Sequence, residues 1–298
     1  MDLLVVARWI GYLGVMGLVG AATFQAIIHL RVAPHHPEAG SQLLGRARAA
    51  AFLAAFFLVS SLALRLLGQL RSFVDPGEAI TREIFDLVLF ESGWGHSWQI
   101  QAVAAGVTLL LVVLVRSTWV LVPLALATAI VSPLTGHAVE NPWGASLGLG
   151  LHALHQLGGG AWIGTLFLVV AAGYGGTRGI PPETRHPLIA RLVHAYSPVA
   201  LAGVSTAILA GVVMAVGYLE SVSALWLTGY GRALAVKTLF LGGTAAIGAY
   251  NWRLVRPQLG QEESSARLYR SATLELIIGA LLLGATAILV GLAAPALE

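Results

Sequence analysis

Nine histidines and no cysteine stand in a 298-residue chain of which only 10% is charged. Disulfides, iron–sulfur clusters, thiolate zinc sites and cysteine nucleophiles are thereby excluded, and a transition-metal site must be built from imidazole, carboxylate or methionine. Four histidines carry most of the interest: His96, His137, His152 and His155. The last two are three residues apart, a spacing that puts both rings on one helix face, close enough to chelate a single ion. Gly159 and Trp162 continue that face. Gly158, Gly159, Gly160 and Gly164 offer a small surface that a neighbouring helix can approach closely, so the face is expected inside a bundle. A single buried histidine ordinarily hydrogen-bonds a backbone carbonyl or sits among headgroups. Four in so apolar a chain point instead to a site. Imidazole suits copper, zinc, iron and nickel alike, so the donors alone do not name the metal. His35, His36 and His186 lie beside prolines in polar loops and read as solvated, whereas His29 and His194 read as caps at helix ends.

The elements that position these side chains are membrane helices. Hydrophobic residues make up 57% of the chain, and a hydrocarbon core of roughly 30 Å takes about 20 apolar residues per helical crossing. Eight such runs are present: Leu3 to Ile28, Ala49 to Leu67, His96 to Val115, Trp119 to Ala138, Leu147 to Gly173, His194 to Gly217, Arg232 to Trp252 and Ala272 to Leu292. The expected fold is an all-α polytopic membrane protein with eight transmembrane helices in a single domain, residues 1–298. The first run is too long for a signal-peptide core and is followed, not preceded, by basic residues, so it reads as a retained helix.

Of the 17 lysines and arginines, 11 fall on one side of this arrangement and 6 on the other, by count over the loops. The richer side is expected to be cytoplasmic and both termini extracytoplasmic. His96, His137, His152, His155, Glu91, Glu140 and Glu220 then share the outer side. The longest outer loop runs from Arg71 to Gly95, and Ile80 to Phe90 is expected to form a short interfacial helix. A pI near 9.5 does not imply nucleic acid, because the basic residues are scattered at helix ends. Trp94, Trp98, Trp119, Trp143, Trp226 and Trp252 read as an aromatic belt.

Two further polar residues lie inside the runs. Lys237 is expected to snorkel outward, the alternative being a carboxylate or anionic cofactor beside it. Glu275 is expected to pair with Arg191 or Arg253. A weak internal repeat relates Gly93-Trp94-Gly95 to Gly229-Tyr230-Gly231 and Ala127-Thr128-Ala129-Ile130 to Ala285-Thr286-Ala287-Ile288. It implies a four-plus-four parallel repeat, halves 1–140 and 147–298, about an axis along the membrane normal. No Ser-His-Asp order, HExxH or phosphate-cradling glycine loop is present, so an enzyme is not expected.

Several short motifs resemble the copper-resistance D proteins (CopD/PcoD-like) of bacterial inner membranes. They are Tyr196-Ser197-Pro198, Gly211-Val212-Val213, Thr228-Gly229-Tyr230-Gly231-Arg232 with Lys237, and Arg267 to Glu275. Upstream, Thr135-Gly136-His137-Ala138 and His152 to His155 followed by Ala161-Trp162-Ile163-Gly164 are similar to the same family. The resemblance implies copper uptake or resistance beside a separate periplasmic copper-binding partner. On this reading His137, His152 and His155 bind copper, and His96 or Glu140 completes or guides the site. One difficulty is that Cu(I) paths favour soft donors, whereas the only methionines are Met1, Met16 and Met214. The alternative is a b-type haem protein in electron transfer, with His137 and either His152 or His155 as axial ligands and Arg8 and Lys237 on the propionates.

Overall fold

A backbone immersed in hydrocarbon finds hydrogen-bond partners only within itself, so each apolar run closes into a helix. In the computed structural model eight helices are long and apolar enough to cross a bilayer: α1 (Leu3–Val32), α2 (Pro37–Arg71), α3 (Gly93–Leu114), α4 (Thr118–Thr135), α5 (Ala145–Tyr174), α6 (Pro182–Tyr218), α7 (Gly229–Gln258) and α8 (Glu262–Leu289). The structure describes residues 2–115, 117–177, 179–260 and 262–297; the side chains of His137 and Leu297 lie outside that description. All eight expected helices are present. Three begin well before the apolar run that announced them: α2 at Pro37, α6 at Pro182 and α8 at Glu262. Hydropathy marks only the part of a helix that lipid surrounds, and these starts are polar turns carrying Glu38, Glu183, Glu262 and Glu263. Pro37 and Pro182 stand in the first turn, where the missing N–H costs nothing.

Side-chain caps fix three other starts. Asp2 Oδ1 accepts from Leu4 N, Ser92 Oγ from Gly95 N and Thr228 Oγ1 from Gly231 N. The last two caps begin the Gly-aromatic-Gly motifs that suggested an internal repeat, and the motifs do the same work in both places. A Cβ on Gly95 would collide with the Val88 and Leu89 carbonyls, and one on Gly231 with that of Ala224, so in each the preceding turn is folded onto the helix start. The expected short helix before α3 spans Arg82–Asp86 and continues as a wide turn, Leu87–Glu91.

The central helix is α1, which packs on α2, α4, α5 and α8. Its contact with α5 is made backbone to backbone: a Cβ on Gly20 would overlap Gly164, and one on Gly164 would overlap the Met16 carbonyl. The seam continues between α5 and α6, where a Cβ on Gly158 would lie 2.5 Å from the Gly203 carbonyl oxygen. The glycine-rich face read from the sequence is thus buried on both sides. Within it, Gly160–Gly164 forms a turn with wide, i→i+5 hydrogen bonding, a local defect that swings neighbouring side chains relative to the regular helix. Leu4 at the start of α1 touches Gly68 near the end of α2, and Arg8 reaches Gly291 just beyond α8. These contacts place the starts of odd helices and the ends of even ones together, at the end of the bundle bearing both termini. At the opposite end Gln25 donates to the Thr118 carbonyl, while His29 Nε2 lies 2.6 Å from Thr118 Oγ1 and its ring stacks on Trp119, as a helix-end cap.

Candidate functional site

Between the helices, toward the end bearing the termini, lies a cavity of about 240 Å³ to which all eight contribute. His152 and His155 of α5 both line it, as the i, i+3 spacing requires. His155 Nδ1 lies 2.7 Å from the Ala207 carbonyl oxygen of α6, and His152 Nδ1 lies 3.0 Å from that of Gly148, one turn back. A carbonyl only accepts, so each Nδ1 carries the proton and each Nε2 keeps the lone pair. A hydrogen bond of this kind on one ring nitrogen fixes the ring's orientation and leaves the other nitrogen as the donor in metal-ligating histidines. Gly211 makes room for it, since a Cβ there would lie 3.2 Å from His155 Cε1. The His152 ring meets Tyr218 edge to face at 6.2 Å, and Tyr218 meets Tyr230 at 6.5 Å.

Both internal methionines, Met16 of α1 and Met214 of α6, line the same cavity. Nearly 200 residues separate them, and no spacing rule connects them. The fold thus brings two thioethers, the donor type whose scarcity stood against a Cu(I) path, to the cavity that the imidazole pair lines.

Three cations also face the space: Arg8, Arg65 and Lys237. Arg65 is braced by Gln101 Oε1 at 3.3 Å and by Thr135 Oγ1. Gln101 in turn donates to the carbonyls of Val131 and Ser132, at 3.1 and 3.0 Å, where the end of α4 tightens into a 3-10 turn. Lys237 points inward rather than snorkelling to the surface, which corrects the expectation for it. Its two turns of depth suit either direction, and it is α7's packing on α8 that presents it to the cavity. A charged residue near the middle of a lone membrane helix costs about 2.5–3.5 kcal/mol on insertion scales, so an inward-facing cation is a functional candidate.

Trp162, in the wide turn of α5, is 5% exposed, lines the cavity and donates its indole N–H to Glu275 Oε1 at 3.1 Å. Glu275 is 3% exposed and accepts from Asn251 Nδ2 at 3.3 Å, while Asn251 Oδ1 receives the Ser271 hydroxyl at 2.5 Å. Tyr196 donates its hydroxyl to the Trp162 carbonyl at 3.0 Å. This network binds α5, α6, α7 and α8 together. Glu275 therefore meets neutral donors and, among the described residues, forms no ion pair with Arg191 or Arg253, which corrects the pairing expected from the sequence.

His96 is exposed at the start of α3 and does not line the cavity. The His137 side chain falls outside the described residues. Glu140 is exposed. Among the described residues no three His, Cys, Asp or Glu side chains gather as a metal site. Of the expected belt, Trp119, Trp143, Trp226 and Trp252 are exposed near helix ends, whereas Trp98 turns inward and donates to the Leu62 carbonyl at 2.9 Å. Arg65, Gln156, Met16 and Met214 also line the cavity, with no sequence spacing that ties them to the imidazole pair. An arginine inside the apolar run Ala49 to Leu67 was the available signal for the first.

Residues 1–149 match the family described as Copper resistance protein D-like, N-terminal domain, and residues 190–289 match Copper resistance protein D. The chain belongs to the copper resistance protein D family. It is accordingly an inner-membrane protein related to copper resistance. The two matches bracket the cavity: the N-terminal one holds Arg8, Met16 and Arg65, the C-terminal one Met214, Lys237 and Glu275. No curated protein and no solved structure matches this CopD-family chain.

Proposed function

We propose that the chain receives copper at its extracytoplasmic face and holds it in the cuprous state between the Nε2 atoms of His152 and His155 and the thioethers of Met16 and Met214. The observation that carries this reading is the convergence of these imidazoles and of both internal methionines on one cavity, with each Nδ1 committed to a carbonyl. Imidazole with thioether is a donor set suited to Cu(I). His137 and Glu140, close in sequence to the cavity residues Gly136 and Ala138, and His96 at the start of α3 act as guiding groups on the approach. The role is binding and transfer, not turnover, and a separate periplasmic copper-binding protein is the donor or acceptor.

The test is copper stoichiometry on detergent-purified protein. The double variant His152→Ala/His155→Ala is expected to lose most bound copper. Met16→Leu or Met214→Leu is expected to weaken Cu(I) retention while leaving a borderline ion such as Zn(II) unaffected. Unchanged copper content in the double histidine variant overturns the assignment.

A b-type haem is favoured by one observation, that the space is far larger than a single ion needs. His152 and His155 share a helix face and cannot be opposite axial ligands of one macrocycle, so one of them fits as a single ligand. Haem would supply one-electron transfer. A visible spectrum of the purified protein separates the readings: a Soret band with sharpened reduced α and β bands supports haem, and its absence supports copper.

A further inference from the structure

The lining of the cavity is unbalanced in charge. Among the described residues Arg8, Arg65 and Lys237 face it, and neither aspartate nor glutamate does. Glu275 lies behind Trp162 and is engaged by Trp162 and Asn251. Gln101 and Thr135 brace the Arg65 guanidinium. Among the described residues Arg8 and Lys237 have no hydrogen-bond or ion-pair partner. Intramembrane cations are ordinarily met by a countercharge, and here the lining supplies none.

Two further observations describe what fits. Much of the wall is apolar, with Val15, Leu58, Leu62, Leu234 and Leu283 among the lining residues, so a small hydrated ion would leave it unfilled. Gln156 also lines the space at 7% exposure, and its Oε1 is buried without a hydrogen-bond partner. An orphaned acceptor of this kind calls for a donor on whatever occupies the cavity.

We propose that the cavity binds an amphipathic oxyanion, a carboxylate or phosphate carried on an apolar body, with the acidic group among Arg8, Arg65 and Lys237. The body lies along the aliphatic wall, and a hydroxyl on the same ligand satisfies Gln156. Bidentate guanidinium contacts from two arginines and a point charge from a lysine are the recognition chemistry of such a group. This inference does not rest on the copper reading, although a bound anion would offset the repulsion that a copper ion near His155 meets from Lys237.

The experiment begins with protein purified in mild detergent, extracted with organic solvent and analysed by mass spectrometry for acidic phospholipid and fatty acid. Wild-type protein is expected to retain one acidic amphiphile in fixed proportion, Arg8→Gln and Lys237→Gln to lose it, and Lys237→Arg to keep it. Delipidated protein is then titrated separately with oleate, phosphatidylglycerol and phosphatidylcholine while its thermal midpoint is followed. A rise with oleate alone identifies a carboxylate, a rise with phosphatidylglycerol alone a phosphate, and a Soret band in the untreated sample a porphyrin carrying propionates. The proposal is overturned if phosphatidylcholine stabilises as well as the anionic probes, if Lys237→Gln responds as the wild type does, or if no probe shifts the midpoint and no amphiphile is extracted. Copper content measured on the same samples shows whether the copper site fails independently.

Discussion

Glu275 illustrates how little a polar residue's identity says about its partner. Its carboxylate receives one bond from an indole and one from an amide, so Glu275→Leu would strand two buried donors, each worth about 1–3 kcal/mol in water-soluble proteins and toward the low end inside membranes. A loss of about 2 kcal/mol is expected for Glu275→Leu and about half of that for Glu275→Gln, read from denaturant titration in detergent; equal stability of Leu and wild type would refute the network's structural role. The sequence revealed the imidazole pair because i, i+3 spacing on a helix is a local geometric fact. It could not reveal that Lys237 faces the same space as His155, or that Met16 and Met214 do, since facing depends on packing between helices distant in the chain.

At the scale of elements, the glycines of α5 separate positions that need no side chain from positions that merely lack one. Gly164 has the Met16 carbonyl where its Cβ would be, and backbone cannot yield as a flexible side chain does; Gly150, nearer the start of α5, has nothing within 4 Å. Gly164→Ala is expected to cost about 2–3 kcal/mol by overpacking, whereas Gly150→Ala is expected to be neutral or to stabilise by about 0.5–1 kcal/mol through helix propensity. Thermal midpoints of the two variants check this, and similar shifts would mean that α1 and α5 do not approach as described. The close approach was legible from the glycine run. The wide turn at Gly160–Gly164 was not, because hydrogen-bond slippage by one residue leaves no mark on hydropathy. The Thr128 and Thr286 of the two Ala-Thr-Ala-Ile segments both line the cavity, and Ala129 and Ala287 are both fully buried.

For the whole molecule, the eight-helix architecture followed from hydrocarbon thickness and run length, while the orientation rests on where the basic residues lie. Alkaline phosphatase fused after the last residue is expected to be active, and a green fluorescent protein in the same place dark; the reverse pattern would invert the bundle and put the cavity on the cytoplasmic side. The α1–α5–α6 seam has a mechanical consequence. Where backbone rests on backbone there is no side chain to re-rotamerise and no slack to take up, so the wall bearing His152, His155 and Met16 is stiff. On the far side, α7 buries few residues and leans mainly on α8. Any breathing of the enclosed space falls on α7, and the part that moves is the one that carries the lysine.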